Sequence, residues 1–379
     1  MSTRTSNGPG IATRVFGSQW FVSVLAVLIA FAIGAILIAL SGASVLDAYY
    51  AMFRGSIVDP NAANAVRMIK PLTDSLFYSI PLIISGLGLA LGFRAGLFNI
   101  GGKGQIIVGA LAAVWVGFAV SLPPVVHTLV ALLVAVIAGG LYGGIAGVLK
   151  AKTGANEVIV TIMLNSIATL GLGYTLAQKA WQVPGTNQPV TPKVAESAAF
   201  ARLLPAPFKL HVGFLVALVA LVAFWWLIER STLGFQIRAV GANAAAARTA
   251  GISVERITAI TMVLSGAFLG LAGANEALGT IGYVSRDVAG SIGFDAITVA
   301  LLGRNKTWGT FGAGLLFGAF KAGGYTMQAK GVPIDMILIL QSVIVLLIAA
   351  PALVRWLFRL PDVRVLAANT RKGNADEHK

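Results

Sequence analysis

From Trp20 to Val354 the chain repeats one pattern: an apolar run of about 20 residues, a short polar joint, then another apolar run. A helix of that length just crosses the roughly 30 Å hydrocarbon core of a bilayer. In lipid, only helices and closed barrels satisfy their own backbone hydrogen bonds. The runs lie near Trp20 to Ser41, Pro71 to Phe93, Gln105 to Ser121, Thr128 to Leu149, Val158 to Leu176, Val212 to Ile228, Ile257 to Leu278, Ile292 to Gly303, Trp308 to Met327 and Pro333 to Val354. They predict an all-α polytopic membrane protein of about ten segments. The eighth run reaches only about 18 Å as a helix and contains Asp295, so it reads as a half-helix or re-entrant segment. The first run is too long for the core of a signal peptide, about 7 to 15 residues, and reads as an uncleaved anchor.

Little is left for a soluble domain. Charged residues make up 11 % of the chain, against about 25 % in soluble proteins. The longest stretch without a span, 179–209, is below the size at which a core folds unaided. The chain divides into an N-terminal tail (1–19), a membrane domain (20–354) with an outer loop (179–209) and an inner segment (229–256), and a basic C-terminal tail (355–379).

A net charge of +14 would suggest a nucleic-acid partner in a soluble protein. Placing the N-terminus inside puts 18 of the 28 Lys and Arg residues on inner segments and nine outside, with Lys321 inside a span. That bias follows the positive-inside rule and explains the charge by orientation and contact with anionic lipid. Both termini are then cytoplasmic.

Sites for chemistry are scarce. There is no cysteine, and His127, His211 and His378 are scattered, so no metal site is expected. No phosphate loop, zinc helix, nucleophile elbow or dinucleotide turn occurs, and no catalytic residue is assigned. Any nucleotide that drives this protein must bind another polypeptide.

Polar residues near or inside spans are costly enough to be functional hypotheses. The joint RAGLFNIGGKGQ (94–105) carries Asn99, Lys103 and Gln105 among glycines, which suits a broken, close-packed backbone. In GANEVIVTIMLN (154–165), Asn156 is placed to cap a helix and Glu157 falls in its first turn. Asn165 lies too deep for that explanation. Glu276 ends the seventh run, Asp295 sits in the half-helix, and Lys321 is expected to snorkel to the outer interface. Gly139, Gly143 and Gly147 recur every four residues, and Gly266 with Gly270 repeats the spacing, a small-residue face for close helix packing. The inner segment holds a short alanine-rich helix, 243–249, bounded by Gly241 and Gly251, which reads equally as part of a solvated inner loop or as a docking element.

RAGLFNIGGKGQ, GANEVIVTIMLNSIA, RAVGANAAAARTAGI, LSGAFLGLAGANEALG and GFDAITVALLGRN, in that order, resemble the permeases of ABC transporters that import simple sugars and nucleosides. These belong to the wider group that includes branched-chain amino-acid permeases, and the wording is most similar to the nucleoside-type branch. Lys103 departs from the acidic residue usual there. The resemblance implies a type II importer-like bundle in the bacterial inner membrane, paired with a second permease chain, two ATP-binding subunits that hold ATP and Mg, and an extracytoplasmic substrate-binding protein. It implies no cofactor in this chain. It also implies that 232–256 carries a coupling helix with Arg238, Asn243, Arg248 and Gly251 as contacts. Asn99, Gln105, Asn165, Glu276 and Asp295 would line the translocation path. The alternative is a secondary transporter or channel acting without an ATPase, for which Asp295 on a half-helix is the best support.

Overall fold

A computed structural model describes residues 19–329, 331–333, 338–339, 342–343 and 346–347. The basic C-terminal tail, His378, nearly all of the N-terminal tail and most of the tenth run lie outside the described residues. The elements are helical: α1 (Gln19–Leu40), α2 (Val45–Ser56), α3 (Ala65–Arg94), α4 (Gly102–Ala119), α5 (Val126–Thr153), α6 (Glu157–Ala177), α7 (Gly213–Trp225, continued by a π-turn at Trp226–Arg230), α8 (Thr232–Ala242), α9 (Ala244–Thr249), α10 (Val254–Asn275, continued by a π-turn at Glu276–Thr280), α11 (Ile292–Leu302) and α12 (Thr307–Gln328).

Among the described residues, six helices are long and apolar enough to cross a membrane, or seven if the bent pair of α1 and α2 is one span. The expected count of about ten is not confirmed among the described residues, and most of the tenth run lies outside them. Two physical reasons are visible. The eighth run is the short apolar helix Ile292–Leu302, and α12, though 22 residues long, is diluted by glycines and Lys321. The sequence reading also placed no helix at α2, where α1 stops at the turn 41–44 and the chain bends by 120°. The ring of Tyr49 on α2 packs edge-on against Phe31 of α1, and its hydroxyl donates to the Phe31 carbonyl.

The chain divides into two compact units, 1–51 with 327–379, and 52–326. In the second unit α10 is the central helix, packed on α5, α4 and α3. Its small residues permit this. A Cβ on Gly139 would fall 2.5 Å from the Gly266 carbonyl oxygen, and one on Gly270 only 2.3 Å from the Ala135 carbonyl oxygen. A Cβ on Gly143 would likewise fall 2.6 Å, and one on Gly147 2.7 Å, from atoms of Met262. Backbones at such range gain dispersion contacts that larger side chains would prevent. By contrast α6 carries an exposed apolar face, with Met163, Ile167, Leu170 and Tyr174 all more than half exposed.

The outer loop is laid over the bundle. Ala195 N–H donates to the Gly117 carbonyl at the end of α4, and Phe200 N–H to the Leu278 carbonyl at the end of α10. His127 is fully buried beneath it, with Nδ1 bonded to Ser197 Oγ (2.8 Å) and Nε2 to the Val116 carbonyl (3.0 Å). His211 is also buried, where its Nδ1 accepts from Gly213 N–H, and burial pushes its pKa down to about 4. Both histidines hold loop to bundle, and no cluster of three or more metal-ligating side chains occurs among the described residues.

Candidate functional site

The joint between α3 and α4 does not stay at a helix end. Asn99 Nδ2 donates to Ser265 Oγ at 3.0 Å, and Ser265 lies roughly 17 Å along α10 from Val254 at the usual rise. The chain therefore leaves Arg94, folds back into the bundle, and starts α4 deep inside it. Irregular backbone at that depth is tolerated only where its polar groups find partners.

Asn99 and Gln105, each 1 % exposed, supply several of those partners. Asn99 Nδ2 donates to Gln105 Oε1 (3.1 Å), Gln105 Nε2 donates back to Asn99 Oδ1 (3.2 Å), and the same Oδ1 accepts from Gly101 N–H (2.9 Å). Helix α6 adds three rungs spaced one turn apart. Glu157 Oε1 accepts from Phe98 N–H (3.4 Å), and Thr161 Oγ1 accepts from Ile100 N–H (3.3 Å). Asn165 Oδ1 accepts from Gly104 N–H (2.7 Å), while its Nδ2 donates to the Ile100 carbonyl (2.8 Å). Lys150 Nζ pairs with Glu157 at 2.6 Å, and Asn156 Oδ1 caps α6 by accepting from Val158 N–H.

Helix α11 begins against this joint. A Cβ on Gly293 would fall 2.4 Å from the Lys103 backbone nitrogen, so the first turns of α4 and α11 touch. Each N-terminus carries partial positive charge from its unpaired N–H groups. Beside the joint lies an open groove of about 630 Å³, lined by Ile100, Lys103, Ile162, Asn165, Ser166, Thr169, Leu170 and Phe294. Its lining combines one cation, Lys103, with the polar side chains of Asn165, Ser166 and Thr169 and four apolar ones.

The expected path residues thus fall in two places. Asn99 and Gln105 lie in one lattice behind the groove, and Asn165 joins that lattice from the groove's wall, with its amide bonded to the joint. Glu276 sits apart in the π-turn ending α10, 7 % exposed, accepting from Thr280 Oγ1 at 3.3 Å. Asp295 follows Phe294 in α11 and accepts from Ser291 Oγ at 2.6 Å. Lys321 is within electrostatic reach of both carboxylates.

On the other side of the joint, Asn243 Oδ1 caps α9 through Ala246 N–H at 3.1 Å, and Gly251 ends it at φ +83°. Arg248 pairs with Glu255 at 2.6 Å with both side chains exposed, whereas Arg238 on α8 is half-buried. Sequence reasoning missed Thr161, Ser265 and the bracing role of Glu157. The spacing of Glu157, Thr161 and Asn165 at four-residue steps was the available signal; Ser265 offered none.

The model of the family described as the branched-chain amino acid transport system permease component matches residues 72–349. The chain belongs to that family. It is 40 % identical over 349 residues to a guanosine ABC transporter permease protein of Bacillus subtilis, covering 89 % of this chain and 95 % of the relative. A glucose ABC transporter permease protein of Haloferax volcanii is 35 % identical, covering 85 % of each chain. A nucleoside ABC transporter permease protein of Lactococcus lactis is 31 % identical, covering 92 % of this chain and 95 % of the relative. No solved structure matches. The chain is accordingly a permease subunit of an ABC transporter and a multi-pass membrane protein.

Proposed function

We propose that this permease carries a nucleoside or a simple sugar inward across the bacterial inner membrane, with both termini cytoplasmic, and that its solute passes the groove beside Lys103. The observation that supports this most directly is the joint itself: a broken backbone braced deep in the bundle, two helix starts in contact, and an open groove at that depth. Discontinuous helices are a recurring way to put polar groups at mid-membrane. The solutes named for the relatives, guanosine, nucleosides and glucose, all carry hydroxylated rings, which Lys103 and Ser166 of the lining can hydrogen-bond.

The groove opens on the exposed face of α6, where Ser166 and Thr169 lie among apolar neighbours. A polar solute cannot travel along a groove left open to lipid, which supports a second permease chain, identical or different, covering this face and completing the path. Two ATP-binding subunits would supply ATP and Mg, and a substrate-binding protein would deliver the solute from outside. Asn99, Gln105 and Asn165 would then act by holding the joint in shape, with Glu276 and Asp295 toward the entrance. Weak solute contacts are a requirement here, because a path that binds tightly does not release. Docking of α9 in the ATPase would involve Arg238, Asn243, Arg248 and Gly251.

The test is to plug the groove. Ser166→Trp should abolish ATP-driven guanosine and glucose uptake in proteoliposomes containing the complete transporter. Leu133→Trp, on an exposed position of α5, should leave uptake within about twofold. Normal uptake by Ser166→Trp would remove the groove from the path.

A further inference from the structure

We propose that Arg94 is a positioning residue that joins the α9 docking segment to the α3–α4 joint beside the groove and to the α11–α12 turn. The inference rests on the proposed function, and it concerns a residue assigned no role above.

Arg94 ends α3, and four chain segments meet at it. Its Nε donates to the Asn305 carbonyl in the α11–α12 turn at 2.8 Å. Its NH2 lies 3.5 Å from Glu229 Oε1 at the end of α7. Its own carbonyl oxygen lies under Gly241 of α8, where an added Cβ would fall 2.1 Å away. The fourth segment is the joint that runs directly from Ala95 to Asn99. Gly241 is glycine because the α3 carbonyl occupies the space of a side chain.

The docking segment is rigid on both sides of α9. Asn243 caps its start, Ile252 N–H donates to the Ala247 carbonyl at 3.0 Å after its end, and Arg248 ties it to Glu255 of α10. A push on α9 therefore reaches Gly241 with little compliance, and Gly241 can move only by carrying Arg94 and Ala95. The α11–α12 turn is the strained receiver. Arg304 and Asn305 have φ of 54° and 55°, a left-handed conformation that Asn tolerates but that is disfavoured for Arg and held at Arg304 only where neighbours enforce it. Asn305 Oδ1 is buried there without a partner. One charged fork thus bears on the turn that launches α12 and, through its backbone, on the Asn99 lattice. A contiguous set of contacts like this becomes a coupling claim only when breaking it uncouples the two ends.

The experiment uses the complete transporter in proteoliposomes. The chain has no cysteine, so spin labels at Lys306→Cys and at Leu133→Cys, exposed on α5 and outside the Arg94 contacts, report movement of the turn against the bundle, with and without ATP, whatever the solute. Guanosine uptake per ATP hydrolysed is measured alongside. The wild type should show an ATP-dependent distance shift. Arg94→Gln should lose it and lower uptake per ATP about tenfold, with ATP hydrolysis kept within about twofold. Arg94→Lys, which restores charge toward Glu229 but not the fork, should recover part. Gly241→Ala, which displaces the Arg94 carbonyl and leaves its side chain intact, should also reduce the ratio. An unchanged shift and ratio in both Arg94→Gln and Gly241→Ala would overturn the proposal, as would parallel loss of hydrolysis, uptake and assembly in both, since that marks a merely structural role. A wild-type complex with no ATP-dependent shift would instead fail the ATP-driven reading beneath it.

Discussion

A single methyl group at Gly270 should cost the bundle more than any surface change on the same helix. An added Cβ would fall 2.3 Å from the Ala135 carbonyl oxygen and 3.0 Å from Gly139 Cα, whereas ordinary contact begins near 3.4 Å. The neighbours are backbone, so no side chain can swing away, and α5 and α10 must separate by roughly 1 Å. A gap of that size forfeits a quarter to a half of each contact's attraction along the crossing, and overpacking of this kind costs about 1–3 kcal/mol. Gly312→Ala on α12 is the matched control, because nothing lies within 4 Å of its Cβ. There the helix gains up to about 1 kcal/mol of propensity. Thermal unfolding of the purified permease in one detergent should place Gly270→Ala several degrees below wild type and Gly312→Ala at or above it. Two variants melting within about 1 °C of each other would refute the packing argument.

Three further outcomes follow. Arg248→Glu should assemble yet lose most ATP-driven uptake, while Glu255→Gln, which breaks the same exposed and solvent-screened pair, should transport nearly normally; equal losses would show that only the intrachain pair matters. His211 has a folded pKa near 4 against 6.5 when free, so the unfolded chain binds more protons between those values; stability should fall as pH drops below about 6.5, and His211→Phe should flatten that part of a detergent melting profile. Single cysteines at Asn187 and Ala245 should react with impermeant reagent from opposite faces of oriented vesicles, and labelling from one face would break the proposed orientation.

Much of the bundle was legible because lipid removes alternatives: an apolar run about 20 residues long has few options besides a helix. The short run at Ile292 announced its irregularity through its length and Asp295. The glycine steps at Gly139, Gly143 and Gly147 gave a packing face, though not its partner, since which helices cross is decided by long-range contacts such as Gly266 on Gly139. The lattice was half legible. Asn99, Gln105 and Asn165 stood out as polar residues in apolar surroundings, but their hydrogen bonds turn them to the joint's backbone. Helix α2 was illegible because an amphipathic dozen residues after a span reads as a loop. The fork at Arg94 was hidden for another reason: Glu229 and Asn305 are far from it in sequence, and an arginine ending a span is explained equally well by the positive-inside rule.

The most direct test of the central claim is solute uptake by the reconstituted transporter with radiolabelled guanosine, and separately glucose, outside and ATP on the side of the ATP-binding subunits. The account predicts accumulation of at least one of them that requires the substrate-binding protein and stops when the ATP-binding subunit cannot hydrolyse ATP. Uptake by the purified chain alone, driven by an ion gradient and indifferent to ATP, would contradict it.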